Sequence, residues 1–181
     1  MRKNLMMMLA AASTLAACGG SEGGNQTANA AEAAGDSTIA SSLGGDTATF
    51  QELAKAAGLD TTLEGPGPYT VLVPANDAFA KLPAGALDTL KKPESRPQLT
   101  KVLTVHILSG AVLAEDIAKA IDNGGGKTQL MSVGGDQLTA TKEGDKIVIT
   151  DAAGAKAVVT TADGKHSNGV VHVVDGVLTP A

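Results

Sequence analysis

The segment Gly169–Val174 constrains the fold more than any other stretch of this 181-residue chain. Residues alternate sides along a β-strand, so Val170, His172 and Val174 share one face and the two other valines share the opposite face. Apart from one histidine, both faces are therefore apolar. Because a strand of this kind has to be covered on both sides, we predict that it lies in the interior of the domain and not at a solvated edge.

The spacing of apolar residues changes from helical to alternating about two thirds of the way along the chain. The predicted helices cover residues 46–57, 76–79, 97–105 and 113–123. The predicted strands cover residues 61–64, 69–73, 128–133, 137–141, 146–150, 155–161 and 169–174. Helices mostly in the first half followed by strands mostly in the second predict the α+β class.

The N-terminus has the three parts of a bacterial export signal: the cationic pair Arg2-Lys3, the apolar stretch Leu5–Ala12 and small residues before Cys18. The apolar stretch is too short to span a membrane, which takes about 20 residues. Leu15–Cys18 resembles the lipobox of lipoproteins, whose cysteine is acylated, for instance with palmitate. We therefore predict a signal peptide at 1–17 and a membrane anchor on Cys18, the only cysteine in the chain.

Residues 18–35 contain glycine, alanine and small polar residues, with no large apolar side chain after the cysteine. A segment of this composition buries too little surface to order itself, so we predict a flexible linker. The glycines that follow Cys18, with no aspartate at the next position, favour the outer membrane by resemblance to the sorting pattern of lipoproteins. Residues 36–181 remain for one domain of ordinary size, facing either the periplasm or the cell surface.

Charge and composition exclude two classes of partner. Removal of the predicted signal lowers the Lys and Arg count from 14 to 12 against 19 Asp and Glu, which leaves a formal charge of −7. Nucleic acids and anionic lipid surfaces reward clustered positive charge, so we expect neither as a partner. Aromatic residues make up 2% of the chain and tryptophan is absent, which argues against a stacking platform for sugars or bases.

Two separated segments carry a family resemblance. Tyr69–Phe79 reads YTVLVPANDAF and Ser167–Leu178 reads SNGVVHVVDGVL, and between them Leu103–Gly110 reads LTVHILSG, with a central histidine. In sequence, order and separation these segments resemble the paired signature segments of the fasciclin domain, over about residues 36–181. Below, the first two are called the first and second signature segments.

The resemblance implies a wedge in which a β-sandwich of about seven strands carries a group of helices, in a family best known for extracellular adhesion and protein binding. It marks a set of motif positions that we expect to be mostly structural: Thr70, Pro74, Asn76, Asp77, Phe79, His106, Asn168, Gly169, His172 and Asp175. Val105 stands where many animal members have tyrosine, which argues against an integrin-type motif. Gly164 replaces a usual apolar residue and predicts a looser loop through Lys165 and His166.

The polar motif residues have structural explanations. Asn76 is expected to cap the helix that follows it, with Asp77 at the positive end of the helix dipole, and Phe79 is expected in the core. His106 and His172 lie among apolar residues, where a neutral ring bonded to backbone is the expected state, whereas His166 is expected to be solvated.

Catalytic and cofactor chemistry finds little support in the sequence. The three histidines lack the i, i+4 spacing of helical metal ligands, so we predict neither a metal nor a cofactor. The run at 124–128 imitates the end of a phosphate loop, but Ile121 stands in place of its first glycine. No nucleophile elbow occurs, and we predict that the chain is not an enzyme.

Three functions remain open at this point. The first is a membrane-anchored module for binding or adhesion, presented to a protein or glycan of the envelope or extracellular matrix, which an exposed apolar patch of several hundred Å² would favour. The second is a periplasmic carrier of a small apolar ligand, which would need a closed apolar pocket of about 300 Å³ or more. The third is a hydrolase with an unrecognised site, which would need a Ser-His-carboxylate or paired-carboxylate geometry.

Overall fold

The computed structural model of the chain describes residues 37–82 and 85–180. Within these ranges the α-helices are α1 Ile39–Ser42, α2 Ala48–Ala57, α3 Asp60–Glu64, α4 Asn76–Ala80, α5 Ala86–Leu90, α6 Arg96–Val105 and α7 Ala114–Asn123. Short 3₁₀ turns precede α2 and α6, at Gly45–Thr47 and Pro93–Ser95. None of the helices in the described ranges is both long and apolar enough to cross a membrane.

The strands form one seven-stranded sheet in the order β2-β1-β7-β6-β5-β4-β3. They are β1 Tyr69–Pro74, β2 Ile107–Ser109, β3 Lys127–Met131, β4 Gln137–Glu143, β5 Lys146–Thr150, β6 Lys156–His166 and β7 Gly169–Val174. The outer strands meet at a bridge between Leu108 and Ser132, and the amide of Val133 donates to the carbonyl of Ile107 at 2.7 Å. The sheet therefore closes almost completely on itself, which protects strand edges that would otherwise stay open. This architecture confirms the predicted α+β class, wedge and strand number.

Strand β7 lies at the centre of the sheet, as its two apolar faces predict. It pairs in parallel with β1, from Tyr69 opposite Gly169 to Pro74 opposite Val174, and antiparallel with β6 on its other side. The two signature segments, about 100 residues apart in the chain, thus lie side by side in register.

Two apolar clusters lie on opposite faces of the central strands. The first joins β1 to the helices through Val71 and Val73, with Ile39, Leu43, Phe50, Leu53, Leu63, Phe79, Leu99 and Leu103 among its members. The second lies under α7 and receives Leu72 of β1 and Val174 of β7. Because successive residues of β1 point to opposite faces, the strand supplies side chains to both clusters.

The structure corrects the element predicted at residues 61–64, which is helix α3 and not a strand. The threonines there favour a strand by propensity, but only Leu63 of the five helical residues is buried. One buried residue per turn suits a short helix packed on the first cluster, and tertiary packing of this kind overrides propensity. The seventh strand is instead β2, which was not predicted and directly follows His106.

Strand β6 is longer than predicted and corrects the expected loose loop before the second signature segment. Lys165 pairs with Val170 and His166 with Gly169, so both residues belong to the sheet. The register between β6 and β7 is irregular from Val159 to Gly164. Because a bulge of this kind interrupts the regular alternation of a strand, the sequence of this part of β6 resembles that of a loop. The predictions for the signal peptide, Cys18 and the linker lie outside the described residues.

Candidate functional site

Asn168 lies in the tight turn between β6 and β7, and its side chain makes three hydrogen bonds to backbone groups. Its Oδ1 accepts the amide of Ile39 at 2.9 Å, and its Nδ2 donates to the carbonyls of Leu63 at 2.6 Å and Gly65 at 3.0 Å. The side chain is buried, and these three backbone groups come from two separate segments. Asn168 therefore holds α1, the end of α3 and the β6–β7 turn together.

Glycine is required at two positions where the start of β1 meets the β6–β7 turn, Gly67 and Gly169. A Cβ on Gly169 would overlap the backbone of Tyr69, and a Cβ on Gly67 would overlap the carbonyl oxygen of Asn168. Gly169 is thus a motif position because two backbones approach each other closely there.

Thr70 and His172 hold the connection between β2 and α7. The hydroxyl of Thr70 donates to the carbonyl of Gly110 at 2.7 Å and accepts the amide of Val112 at 2.8 Å. His172, fully buried, bonds through Nε2 to the carbonyl of Val112 at 2.9 Å. Its Nδ1 accepts the amide of Asp163 at 3.2 Å, so the contacts require a neutral ring with its hydrogen on Nε2.

Asp163 extends this chain of bonds and was not identified from the sequence. Its Oδ1 accepts the amide of Ala114, the first residue of α7, at 2.8 Å. Asp163 has φ +59°, a conformation that aspartate tolerates better than most residues. The signal in the sequence was the Asp163-Gly164 pair, since Asp-Gly is typical of a turn and an isolated glycine near a strand is typical of a bulge.

His106 ties the end of α6 to the C-terminal segment. Its Nδ1 bonds to the carbonyl of Val102 at 2.7 Å and its Nε2 accepts the amide of Leu178 at 3.0 Å. The ring is 1% exposed and packs edge-on against Phe50. Burial lowers the pKa of His106 to about 4, so the ring is neutral at physiological pH.

Asp151 is a buried acid that the sequence did not reveal. Its Oδ2 accepts both the amide and the hydroxyl of Thr179, at 2.7 and 3.0 Å, and its Oδ1 accepts the amide of Ala155 at 2.8 Å. Together, His106 and Asp151 fix two successive amides of the C-terminal segment.

The structure corrects the role of Asn76, which does not cap its own helix. Its side chain accepts the amide of Thr49 at 3.1 Å and donates to the carbonyl of Gly45 at 2.9 Å. Asn76 thus caps α2, whose own N-cap residue Thr47 makes no side-chain capping bond. Asp77 does lie in the first turn of α4, where its charge suits the helix dipole.

The remaining motif positions support packing. Phe79 is buried in the first cluster and Pro74 is buried at the end of β1. Asp175 accepts the amide of Val158 at 2.8 Å and pairs with Lys81 at 3.4 Å. Because that pair is exposed, we expect it to contribute at most about 1 kcal/mol.

A contact between Ser42 and His166 is the nearest approach to a catalytic pair. The two side chains lie 3.2 Å apart, but the hydroxyl of Ser42 donates to the carbonyl of Ile39 at 2.7 Å. Its hydrogen therefore points away from the ring, whereas a nucleophile must give its hydrogen to the base.

His166 is half-buried and not solvated as predicted, and partial burial lowers its pKa. In the described part of the chain its Nδ1 has no hydrogen-bond partner to orient the ring.

On the surface of the described residues, two of the grooves have volumes of about 210 and 260 Å³. The smaller lies between α1, α2 and α3 and carries Lys55, Asp60 and Glu64 on its walls. The larger lies beside the first residue of α7 and carries Asp145 and Lys146. Neither is the closed apolar pocket that a carrier would need.

Metal-binding and apolar surface features are sparse. Among residues 37–82 and 85–180, no three His, Cys, Asp or Glu side chains gather closely enough to hold a metal ion. The exposed large apolar side chains in these ranges are Met131, 58% exposed, and Val133, 48% exposed, beside the seam between β2 and β3. Two side chains do not make a patch of several hundred Å².

Comparisons with known proteins agree with the geometry. A family model described as the fasciclin domain matches residues 45–180. Protein sll1483 of Synechocystis is 37% identical over 132 residues, 73% of this chain and 66% of that protein. Transforming growth factor-beta-induced protein ig-h3 of Sus scrofa is 35% identical over 73% of this chain and 17% of its own length. The chain therefore spans only part of these relatives.

A solved structure shows the same fold. It is a FAS1 domain pair from the insect cell adhesion molecule fasciclin I, with a TM-score of 0.57 at 23% identity. The match covers 74% of this chain and 45% of that one.

We expect Asn168→Asp to lower the free energy of unfolding by about 3 kcal/mol, because a buried carboxylate oxygen would face the carbonyls of Leu63 and Gly65 without a donor. Asn76→Asp is the matched control at an exposed site. It keeps the acceptor for the amide of Thr49 and should cost less than about 1 kcal/mol. Denaturant unfolding of the three proteins measures both values, and equal losses would contradict the role of Asn168.

His106 predicts a pH dependence of stability. In the unfolded chain the ring has its ordinary pKa of 6.5, whereas in the folded chain its pKa is about 4. Between these two pH values the unfolded ring is therefore protonated and the folded ring is not. Stability from the neutral ring is therefore complete above pH 6.5 and is lost as pH falls from 6.5 to 4, by up to about 3 kcal/mol.

His106→Gln should flatten this part of the curve of unfolding free energy against pH, whereas His166→Gln should keep the part of the slope that His106 sets. Urea unfolding at a series of pH values measures the curves. If the natural chain and His106→Gln give parallel curves through this range, the buried ring is not the source of the slope.

Proposed function

The chain belongs to the fasciclin domain family, and from this membership we propose that it is a non-catalytic binding or adhesion module, held on a bacterial membrane by a lipid on Cys18. The module presents its domain to a protein or glycan of the envelope or extracellular matrix. Adhesion is named in the description of the solved relative from insects, and it supports a similar role here by family membership.

One observation carries the non-catalytic part of the proposal. The buried polar side chains of the signature segments, Thr70, Asn168 and His172, bind backbone groups of the same chain. Asn168 bonds three of them, while Thr70 and His172 together hold both the amide and the carbonyl of Val112. Side chains that satisfy buried backbone groups in this way are costly to redirect toward a substrate.

The surface supports a polar interface. The exposed large apolar side chains of the described residues are Met131 and Val133, and the formal charge without the signal is −7. Interfaces between non-obligate partners are no more apolar than the rest of a protein surface, so a partner with complementary polar groups is enough. Nucleic acid and anionic lipid fit this charge poorly.

The alternatives receive less support. A periplasmic carrier needs a closed apolar cavity, whereas the two grooves are small, open and lined in part by charged residues. A hydrolase built on Ser42 would need the hydroxyl hydrogen that the carbonyl of Ile39 accepts. Neither a metal nor another cofactor enters the proposal.

Anchoring and export rest on the N-terminal sequence. Leu15–Cys18 supplies the lipobox, and residues 18–35 supply a linker with a root-mean-square reach of about 20–25 Å. On this basis the domain is exported, held on the outer membrane and separated from the lipid by its own linker. Whether it faces the periplasm or the outside decides between an envelope partner and an extracellular one.

We expect the natural chain to be labelled on intact cells by a membrane-impermeant reagent and to be cleaved there by added protease. Cys18→Ala should release the domain into the medium, because the lipid is its attachment. Ser13→Ala is the matched control, since it alters the same signal segment but leaves Leu15–Cys18 intact.

Immunoblots of intact cells, opened cells and medium give the result. If the domain is protected until the outer membrane is opened, adhesion at the cell surface is excluded and a periplasmic binding role takes its place. If Cys18→Ala stays in the membrane fraction as the natural chain does, lipid anchoring on Cys18 is wrong.

A further inference from the structure

The chain contains two Asn-Gly pairs, Asn123-Gly124 and Asn168-Gly169. Asparagine followed by glycine is the pair most prone to spontaneous deamidation, because glycine has no side chain to hinder the approach of its backbone nitrogen to the asparagine amide. Asn123 is exposed at the end of α7, whereas Asn168 is 8% exposed in the β6–β7 turn. The same reactive pair therefore occurs in an open and in a closed setting.

Deamidation at the second pair would use only the chain and water. The backbone nitrogen of Gly169 loses its hydrogen to hydroxide and attacks the side-chain carbon Cγ of Asn168. The new N–Cγ bond closes a succinimide ring, the Cγ–Nδ2 bond breaks, and Nδ2 leaves as ammonia with a hydrogen taken from water. A second water molecule then opens the succinimide at either carbonyl, which gives aspartate or isoaspartate.

In the folded domain the side-chain amide of Asn168 is fixed by three hydrogen bonds. Nδ2 donates to the carbonyls of Leu63 at 2.6 Å and Gly65 at 3.0 Å, and Oδ1 accepts the amide of Ile39 at 2.9 Å. The group that has to leave as ammonia is thus the group that satisfies two backbone carbonyls. Its departure would leave both carbonyls without this donor, which is costly at a buried site.

The backbone on both sides of the reacting nitrogen is fixed as well. The carbonyl of Asn168 accepts the amide of Tyr69 at 3.1 Å, and Gly169 pairs with His166 across the turn and with Tyr69 of β1. Ring closure reorients the peptide unit between Asn168 and Gly169, so it has to disturb this pairing. Burial of the turn also keeps hydroxide and water away from the reacting atoms.

Asn123 lacks most of this protection. It is the last residue of α7 and its side chain is exposed. The amide of Gly124 donates to the carbonyl of Ala120 at 2.9 Å, which is a bond of the final helical turn. Because helix ends fray, water reaches this pair without unfolding of the domain.

We propose that Asn168 is a site of spontaneous deamidation that folding suppresses, and that its modification marks chains in which the β6–β7 turn has opened and hinders them from closing again. The reaction class is hydrolysis of a side-chain amide by water, with ammonia as the second product. The residue that ties α1 and α3 to the turn is then also the residue that is lost when the turn stays open.

Either product weakens the turn. Aspartate places a carboxylate against the two carbonyls that Nδ2 binds. Isoaspartate also adds a methylene group to the main chain of the short turn between His166 and Gly169. A Cβ built on Gly67 already overlaps the carbonyl oxygen of Asn168, so the longer backbone has no room there. An opening that lasts long enough for the reaction therefore leaves a permanent loss of stability.

Deamidation rates of the purified full-length chain test the suppression. The chain is incubated in mildly alkaline native buffer and in guanidinium chloride above the unfolding midpoint. Trypsin cleaves after lysine and arginine, so digestion releases Asn123 in the peptide 120–127 and Asn168 in the peptide 166–181. Mass spectrometry of both peptides against time gives the two rates, because deamidation replaces a side-chain NH₂ by OH. Chain digested without incubation gives the background.

We expect the two pairs to react in denaturant at rates within about threefold of each other, since both lie in an open chain. In native buffer Asn168 should react at least about tenfold more slowly than in denaturant, and more slowly than Asn123, the matched control in the same molecule. An equal rate at Asn168 in the two solutions overturns the proposal.

Refolding tests whether the modification hinders closing. Partly reacted chains are diluted to a denaturant concentration just below the midpoint of the natural chain, where a destabilised chain is open, and receive a brief pulse of protease. In the surviving chains the modified fraction should fall at least about fivefold at Asn168 and stay unchanged at Asn123. If the modified fraction at Asn168 also stays unchanged, the modified turn closes as well as the natural one and the proposal is wrong.

Discussion

Six residues of β1 lie in parallel register against the six residues of β7, and the other parts of the domain are placed by this pairing. It joins segments about 100 residues apart and buries both faces of the two strands. One face supports the helices and the other supports α7 and the second half of the sheet. Since parallel strands cannot be joined by a tight turn, the long chain between them has to be accommodated around the pair.

Buried polar side chains solve the problem that this arrangement creates. The connections around β1 and β7 leave backbone groups far from water, and each needs a partner. Asn168, Thr70, His172 and His106 provide those partners, together with the buried acid Asp151. The buried polar residues of the signature segments therefore stabilise connections within the domain. Under the proposed function, a partner would meet the exposed surface and not these residues.

Local patterns predicted much of the fold. The apolar alternation in Gly169–Val174 and the helical spacing in α2, α6 and α7 depend on burial, which leaves a direct trace in the sequence. Helix α3 was missed because its single buried leucine gives no period, and β2 because it has only three residues. At the candidate site, the sequence identified the motif positions but not the backbone groups that their side chains bind. Asn76 was expected to act on its neighbours but binds residues 27 and 31 positions away, and such contacts leave no local trace.

The hydrogen positions on the two buried histidine rings test most directly the claim that the signature residues serve the scaffold. Ring ¹⁵N chemical shifts of the natural chain near neutral pH report them. We predict a neutral His106 with its hydrogen on Nδ1, toward Val102, and a neutral His172 with its hydrogen on Nε2, toward Val112. A ring that is charged, or that exchanges between both tautomers, would contradict the account, because its nitrogens would then be free for other chemistry.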